Sequence, residues 1–223
     1  MLPTADAFSD AATATTAWAD GYAPPKGYFD ELRSAPEATR PYWDAILTQL
    51  KGIGQANLQR RVEQQRRIIQ DNGITYNAYS DPERGTRPWS MDVVPLLLGE
   101  NEWKELELAL SQRLHLLNLI LQDCYGRQNL LRGAYPPELV LGNPAFLRSC
   151  KGIIPTRRRF LHLYTADLAR APDGSWWVLS DRLDAAGGLG YALENRYISS
   201  RVLPDMLREL NARRLQPHLQ RYC

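Results

Sequence analysis

Cysteine is scarce in this chain: three residues, Cys124, Cys150 and Cys223, among 223. They are far apart, odd in number and without C-x-x-C spacing, which argues against a disulfide framework and against a zinc site, and leaves a reduced cytoplasm as the expected setting. Long apolar runs are also missing. None approaches the ~20 residues that a membrane helix needs, and the first residues lack the basic stretch and apolar core of a signal peptide. Nor does one sign of charge dominate. Lys and Arg number 27 against 25 Asp and Glu, for a net charge of +2, so nothing calls for nucleic acid or an anionic membrane as partner.

What remains is the composition of a globular protein, 44% hydrophobic and 23% charged, in a chain long enough to bury a sizeable core. Residues 1–25 are rich in Ala, Thr and Asp, end in Ala23-Pro24-Pro25, and read as a mobile tail. Phe29-Asp30-Glu31-Leu32 and Arg40-Pro41-Tyr42-Trp43 bracket a turn. Tyr42, Ile46, Leu47 and Leu50 then recur at helical spacing. A second helix over Asn57–Gln70 carries four arginines, interleaved with Glu63 and glutamines, which read as a solvated face rather than an RNA surface; Asp71-Asn72-Gly73 stops it. Strands are predicted at Ile74–Tyr79 and Trp89–Leu98, with a polar loop at Ser80–Pro88 between them. Asp92 in the second strand either faces solvent or pairs with a cation. From Asn101, as cap, to Gly126, as stop, Trp103, Leu106, Leu110, Leu114, Leu117 and Leu121 mark a long helix covered on more than one side, in which His115 is structural. Arg157-Arg158-Arg159 reads as a charged loop. A last helix is expected over Ser199–Leu210, begun or kinked at Pro204.

The densest stretch is Arg159–Arg196. Phe160 to Leu168 alternates as a strand, and Ala171-Pro172-Asp173-Gly174 reverses the chain, proline presetting one turn angle and glycine taking the positive one. Trp176–Asp181 is the return strand. Strict alternation places Trp177, Leu179 and Asp181 on one face and Val178, Ser180 and Arg182 on the other. Next come Asp184 and the glycine loop with Gly187, Gly188 and Gly190, whose backbone allows close approach of a ligand and can form an anion-binding concavity. A helix opens at Tyr191 and carries Asn195 and Arg196.

The segments LYTADLAR, DGSWWVLSDR and GGLGYALENR resemble the circularly permuted ATP-grasp proteins, which are similar to glutathionylspermidine synthetase in their metal-binding hairpin. The resemblance continues through QRLHLLNLILQDCYG, PPELVLGNPAFLR and RPWSMDVVPLL back to RPYW and FDELR, and so covers roughly residues 28 to 205. It implies an α+β chain, a partial ATP-grasp fold of antiparallel strands and packed helices over residues 26–210, with 211–223 a truncated continuation. It also implies an ATP-dependent ligase that joins a carboxylate, on a small molecule or peptide, to an amine or thiol through an acyl phosphate, with ATP and Mg2+ as cofactors.

In the family, the metal ligands are an Asp on the first hairpin strand and a Glu and an Asn on the second. Asp167 matches the first. Ser180 stands at the Glu position and Arg182 at the Asn position, and arginine has no acceptor to offer a metal. The resemblance therefore implies Asp167 and Arg182 as catalytic residues, Asp167, Asp181 and Asp184 as metal candidates, and Arg182, Gly187, Gly188, Gly190, Asn195 and Arg196 as cofactor-binding. Equally open is a stiffening ion pair, Asp181 with Arg196 or Asp167 with Arg182. Because the nucleotide-clasping half follows the hairpin in this family, the chain is expected to be the leading part of a larger protein. The other half would lie in the same chain or in a partner chain, and this part would be inactive alone. The alternative is a noncatalytic interaction module with a degenerate metal site.

Overall fold

The computed structural model describes residues 22–35, 38–77, 86–183 and 187–219. They form helices and three small two-stranded antiparallel sheets, an α+β architecture. The chain divides into two compact units, one of residues 1–97 and 188–223 and one of residues 98–187.

The first unit begins at a corner fixed by Asp30. Its carboxylate accepts from the amides of Leu32 and Arg33, while the Arg40 guanidinium donates to the Asp30 carbonyl and lies 4.4 Å from the centre of the Phe29 ring. These are the FDELR and RPYW segments, joined by β1 (Arg33–Ala35) and β2 (Ala38–Thr39). Pro41 then opens α1 (Pro41–Ile53), where its missing N–H costs nothing. Gly54, at φ +73°, turns the chain into α2 (Gln55–Asp71). Asn72 and Gly73 end α2 as the sequence suggests.

Trp43, Ile46 and Leu50 of α1 and Ile69 of α2 meet Ile198, Val202, Leu203 and Met206 from the C-terminal side of the chain to form the core. The C-terminal residues come from α5 (Leu189–Val202), α6 (Pro204–Glu209) and Leu203, the cap between them, with Pro204 dividing what the sequence suggests as one helix. A short α7 (Gln216–Leu219) follows.

Two strand assignments need correction. β3 spans Thr75–Asn77 and pairs with β4 at Thr86–Pro88, within the expected polar loop. The expected strand at Trp89–Leu98 is irregular chain. Its apolar residues Trp89, Met91, Val93, Val94 and Leu97 pack on the core one after another. That packing gives the segment a hydrophobic pattern without a neighbouring strand. Its backbone is served partly by the buried Gln65, whose amide donates to the Met91 carbonyl. Asp92 is exposed, the solvent-facing of its two readings.

The second unit is built on α3 (Glu100–Tyr125), which starts one residue before the expected cap. Gly99 is the N-cap and Gly126 the C-cap. After α3 come short turns, α4 (Pro137–Leu141), and the hairpin of β5 (Thr165–Arg170) and β6 (Trp176–Arg182). The residues expected to begin the first hairpin strand, from Phe160, instead lead up to it. Asn118 of α3 holds them: its Oδ1 accepts from the amides of Phe160 and Leu161, and its Nδ2 donates to the Arg158 carbonyl. Tyr125 stacks on Phe146 and Phe160 at centroid separations of 4.8 and 6.2 Å.

Candidate functional site

The hairpin turn forms where proline and glycine place it. Gly174 takes φ +87°, its amide donates to the Ala171 carbonyl, and the Asp173 carboxylate accepts from the amide and hydroxyl of Ser175. The strands pair in register Arg170↔Trp176, Ala169↔Trp177 and Leu168↔Val178, then slip by one, so that Asp167 faces Ser180 and Ala166 faces Asp181. Leu179 is the extra residue, a β-bulge.

This bulge corrects the facing expected from strict alternation. Trp176, Val178 and Asp181 lie on one side of β6, with Trp177, Ser180 and Arg182 on the other, because an extra residue inverts the period beyond it. α3 covers the first face. Glu102, near the start of α3, accepts from Trp176 Nε1 at 3.0 Å and pairs with Arg170, which lies 3.9 Å from the centre of the Trp176 ring. Eleven residues on, about three helical turns, Arg113 forks onto Asp181 through Nε at 2.7 Å and Nη2 at 2.6 Å. The Tyr164 hydroxyl donates to the same carboxylate at 2.6 Å.

Arg113 first, and then Tyr164, hold the Asp181 carboxyl down to about 2. Tyr164 is pushed up to about 12 by burial and by the bond to Asp181. Asp181 therefore locks the hairpin to α3 and is not brought together with Asp167. Arg113, Tyr164 and Glu102 were not singled out from the sequence. The signal was there in the spacing of Glu102 and Arg113, which places an acid and a base on one helical face.

On the outward face, Asp167 Oδ2 accepts from Ser180 Oγ at 2.6 Å and from Arg182 Nε at 3.0 Å and Nη2 at 2.8 Å. Arg182 and Ser180 together hold the Asp167 carboxyl below its ordinary range. The cluster is open: the side chains of Arg182 and Asp167 are 58% and 43% exposed. It unites the two expected catalytic residues in the ion pair that was one of the open readings.

The donor set does not fit a divalent cation held in the family's manner. The partners of Asp167 are a hydroxyl and a permanently protonated guanidinium where two more oxygen ligands are needed. Among the described residues no three His, Cys, Asp or Glu side chains gather as a metal site. The third metal candidate, Asp184, lies outside the described residues.

Of the glycine-loop residues, Gly188 takes φ +89° as the N-cap of α5, and Gly190 lies in the first turn with open space where a side chain would stand. Gly187 immediately precedes the cap. Asn195 accepts from Trp89 Nε1 at 2.9 Å. Tyr191, one turn earlier, stacks on Trp89 at 4.5 Å and donates to the Thr75 carbonyl. Asn195 therefore works in packing the irregular 89–97 segment against α5. Arg196 is half-buried and makes no ion pair among the described residues. No described helix is long and apolar enough to cross a membrane.

Comparison with known proteins adds a family. The profile described as circularly permuted ATP-grasp type 2 matches residues 95–223, which include α3, the hairpin, the glycine loop and α5. An uncharacterized protein of Synechocystis sp. is 33% identical over 187 residues, covering 83% of this chain and 39% of that protein. An uncharacterized protein of Mycobacterium tuberculosis is 34% identical over 205 residues, 88% of this chain and 23% of that one. A Frankia casuarinae protein named "Putative glutamate--cysteine ligase 2-2" is 33% identical over 183 residues, 82% of this chain and 21% of its own length. The chain thus spans between about a fifth and two fifths of the length of these curated relatives.

Proposed function

Since this chain belongs to the circularly permuted ATP-grasp type 2 family, we propose that it is the leading part of a longer ATP-dependent ligase, to which it contributes the β5–β6 hairpin and the glycine loop. The reaction is the joining of a carboxylate to an amine or thiol. A carboxylate oxygen attacks the γ-phosphorus of ATP and ADP departs with the electrons of the broken P–O bond. The nucleophilic nitrogen or sulfur then attacks the acyl carbon, releases phosphate and gives up its proton.

The observation that carries this reading is the outward-facing cluster of Asp167, Ser180 and Arg182, on the strand positions that the resemblance implies for the site. Asp167 fixes Arg182 through two N–H bonds, so that a charge that cannot be lost by deprotonation is held on the open face of the hairpin. Such a group suits phosphate oxygens. Because the donor set does not fit a divalent cation, no step is assigned to Mg2+ at this cluster. The triphosphate itself would need the remaining length of the relatives, either in the same chain or as a partner, and the present residues alone would be inactive.

The relative named as a glutamate–cysteine ligase supplies the first pair to assay. The test is ADP release by the longer protein with glutamate and cysteine, then with other amino acids and short peptides, using glutamate labelled with 18O in its carboxylates. The expected result is ADP formation that requires both partners and moves one 18O into each released phosphate. ADP release without that transfer would rule out the acyl phosphate.

A second reading is favoured by the same ion pair: with Asp167 already satisfied by Arg182 and Ser180, the hairpin would serve as a noncatalytic module. Its signature is a longer protein that forms no ADP with any carboxylate and amine pair.

A further inference from the structure

The arginines of α2 do not all belong to one solvated face. Within the first unit, α1, α2 and α6 border a cavity of about 530 Å³ that is open to solvent, in the size range of small-molecule sites. Ile53, Leu203 and Met206 give it an apolar floor, and the last two are almost wholly buried. Arg60, Arg61 and Asp205 supply its charges, and Gln49 and Asn57 its amides.

The two guanidiniums are placed differently. Arg61 is held to the wall by a bond from Nη1 to the Val202 carbonyl at 2.5 Å. Arg60 lines the same cavity, exposed, with no hydrogen-bond or ion-pair partner among the described residues. Asp205, the one carboxylate in the lining, already lies 3.5 Å from Arg208 outside it. The lining thus sets two guanidiniums against one carboxylate beside an apolar floor, while the Gln49 amide donates to the Glu209 carboxylate outside it.

We propose that this cavity is a binding site for a small carboxylate with an apolar body, such as an N-blocked aliphatic amino acid or a peptide carboxyl end. Arg60 forks onto the carboxylate, Arg61 adds charge beside it, and the aliphatic part rests on Ile53, backed by the buried Leu203 and Met206. A guanidinium fork matches the two oxygens of a carboxylate. A phosphate dianion fits less well, because it would bring a second charge toward Asp205 and leave the apolar floor uncovered. The proposal uses no residue of the hairpin cluster and does not depend on the ligase reading.

The test is an amide chemical-shift titration of the 223-residue chain with three probes: N-acetyl-L-leucine, L-leucinamide and inorganic phosphate. N-acetyl-L-leucine is expected to shift the amides of Ile53, Asn57 and Met206 in a saturable way, and leucinamide, which lacks the carboxylate, to leave them unmoved. Arg60→Gln, at an exposed and unpartnered position, should fold normally and bind N-acetyl-L-leucine at least tenfold more weakly. Arg66→Gln, on the same helix but outside the cavity lining, should bind as the parent does. Unshifted amides with N-acetyl-L-leucine, equal response to leucinamide, tighter binding of phosphate, or unchanged affinity in Arg60→Gln would each overturn the assignment.

Discussion

Asp181 and Asp167 stand on neighbouring strands of one hairpin, fourteen positions apart, and do different work because a single extra residue turns them to opposite faces. Asp181 accepts a two-pronged bond from Arg113 and a third from Tyr164. Asp181→Asn should therefore lower stability by about 1.5–3 kcal/mol, the range for hydrogen bonds to a charged group. Its folded-state carboxyl is depressed to about 2. The stabilisation it gives is thus complete above about pH 4 and lost as the pH falls from there through 2. An acid-unfolding series should show a drop in that window for the parent chain and a flatter limb for Asp181→Asn. Tyr164 behaves with the opposite sign, since its folded value of about 12 lies above the usual one. Its contribution should hold below about pH 10 and vanish as the pH rises through 12. Tyr164→Phe should weaken that alkaline limb, leaving the part due to Tyr22, which is also pushed up to about 12. Asp167→Asn should change stability far less than Asp181→Asn, because its pair with Arg182 is open to solvent.

Among the elements, the β6 bulge gives a direct check on the facing described here. Deleting Leu179, which has no partner on β5 and is 66% exposed, restores simple alternation. Trp176, Val178 and Asp181 remain on the α3 side. The deletion should leave the melting temperature within a few degrees of the parent and keep the acid limb contributed by Asp181. A collapsed fold would mean that Leu179 is structural. The glycine loop offers a contrast of sign. Gly188→Ala forces a side chain into φ +89° and should destabilise by about 1–2 kcal/mol, whereas Gly190→Ala enters open space at the start of α5 and should stabilise by up to about 1 kcal/mol. Thermal unfolding of the two variants decides it.

These elements also show what the sequence could disclose. The turn at Ala171–Gly174 was legible because proline and glycine restrict backbone angles locally, and α3 because an apolar stripe persists over many turns. The bulge was not. Trp-Trp-Val-Leu-Ser-Asp-Arg alternates acceptably in either phase, and only packing of Trp176 and Asp181 against Glu102 and Arg113 selects one. The segment after β4 was misread for a related reason: Met91, Val93, Val94 and Leu97 face the core of their unit as irregular chain, and an apolar run bears no mark of whether a strand lies beside it. At the candidate site, Asp167 and Arg182 were expected and are found in contact. The separation of Asp181 from Asp167 could not be read, because it follows from the bulge.

For the whole molecule, the matched length decides what can be asked of it. The chain accounts for only 39% of the Synechocystis relative and 23% of the mycobacterial one, and the hairpin cluster offers no three-ligand metal site among the described residues. The 223 residues should therefore show no thermal shift with ATP and Mg2+. A nucleotide at a hundredfold excess over its dissociation constant would stabilise a self-sufficient site by about 2.7 kcal/mol, a rise of several degrees. The proposed ligase role requires Asp167 to take part in turnover by a longer protein that contains this chain. The measurement that tests this most directly is ADP formation by that protein, parent against Asp167→Asn, with circular dichroism confirming that both are folded. A loss of turnover of at least a hundredfold with an unchanged melting curve is the expected result. Parent-level turnover in the folded variant would remove Asp167, and the hairpin cluster with it, from the reaction.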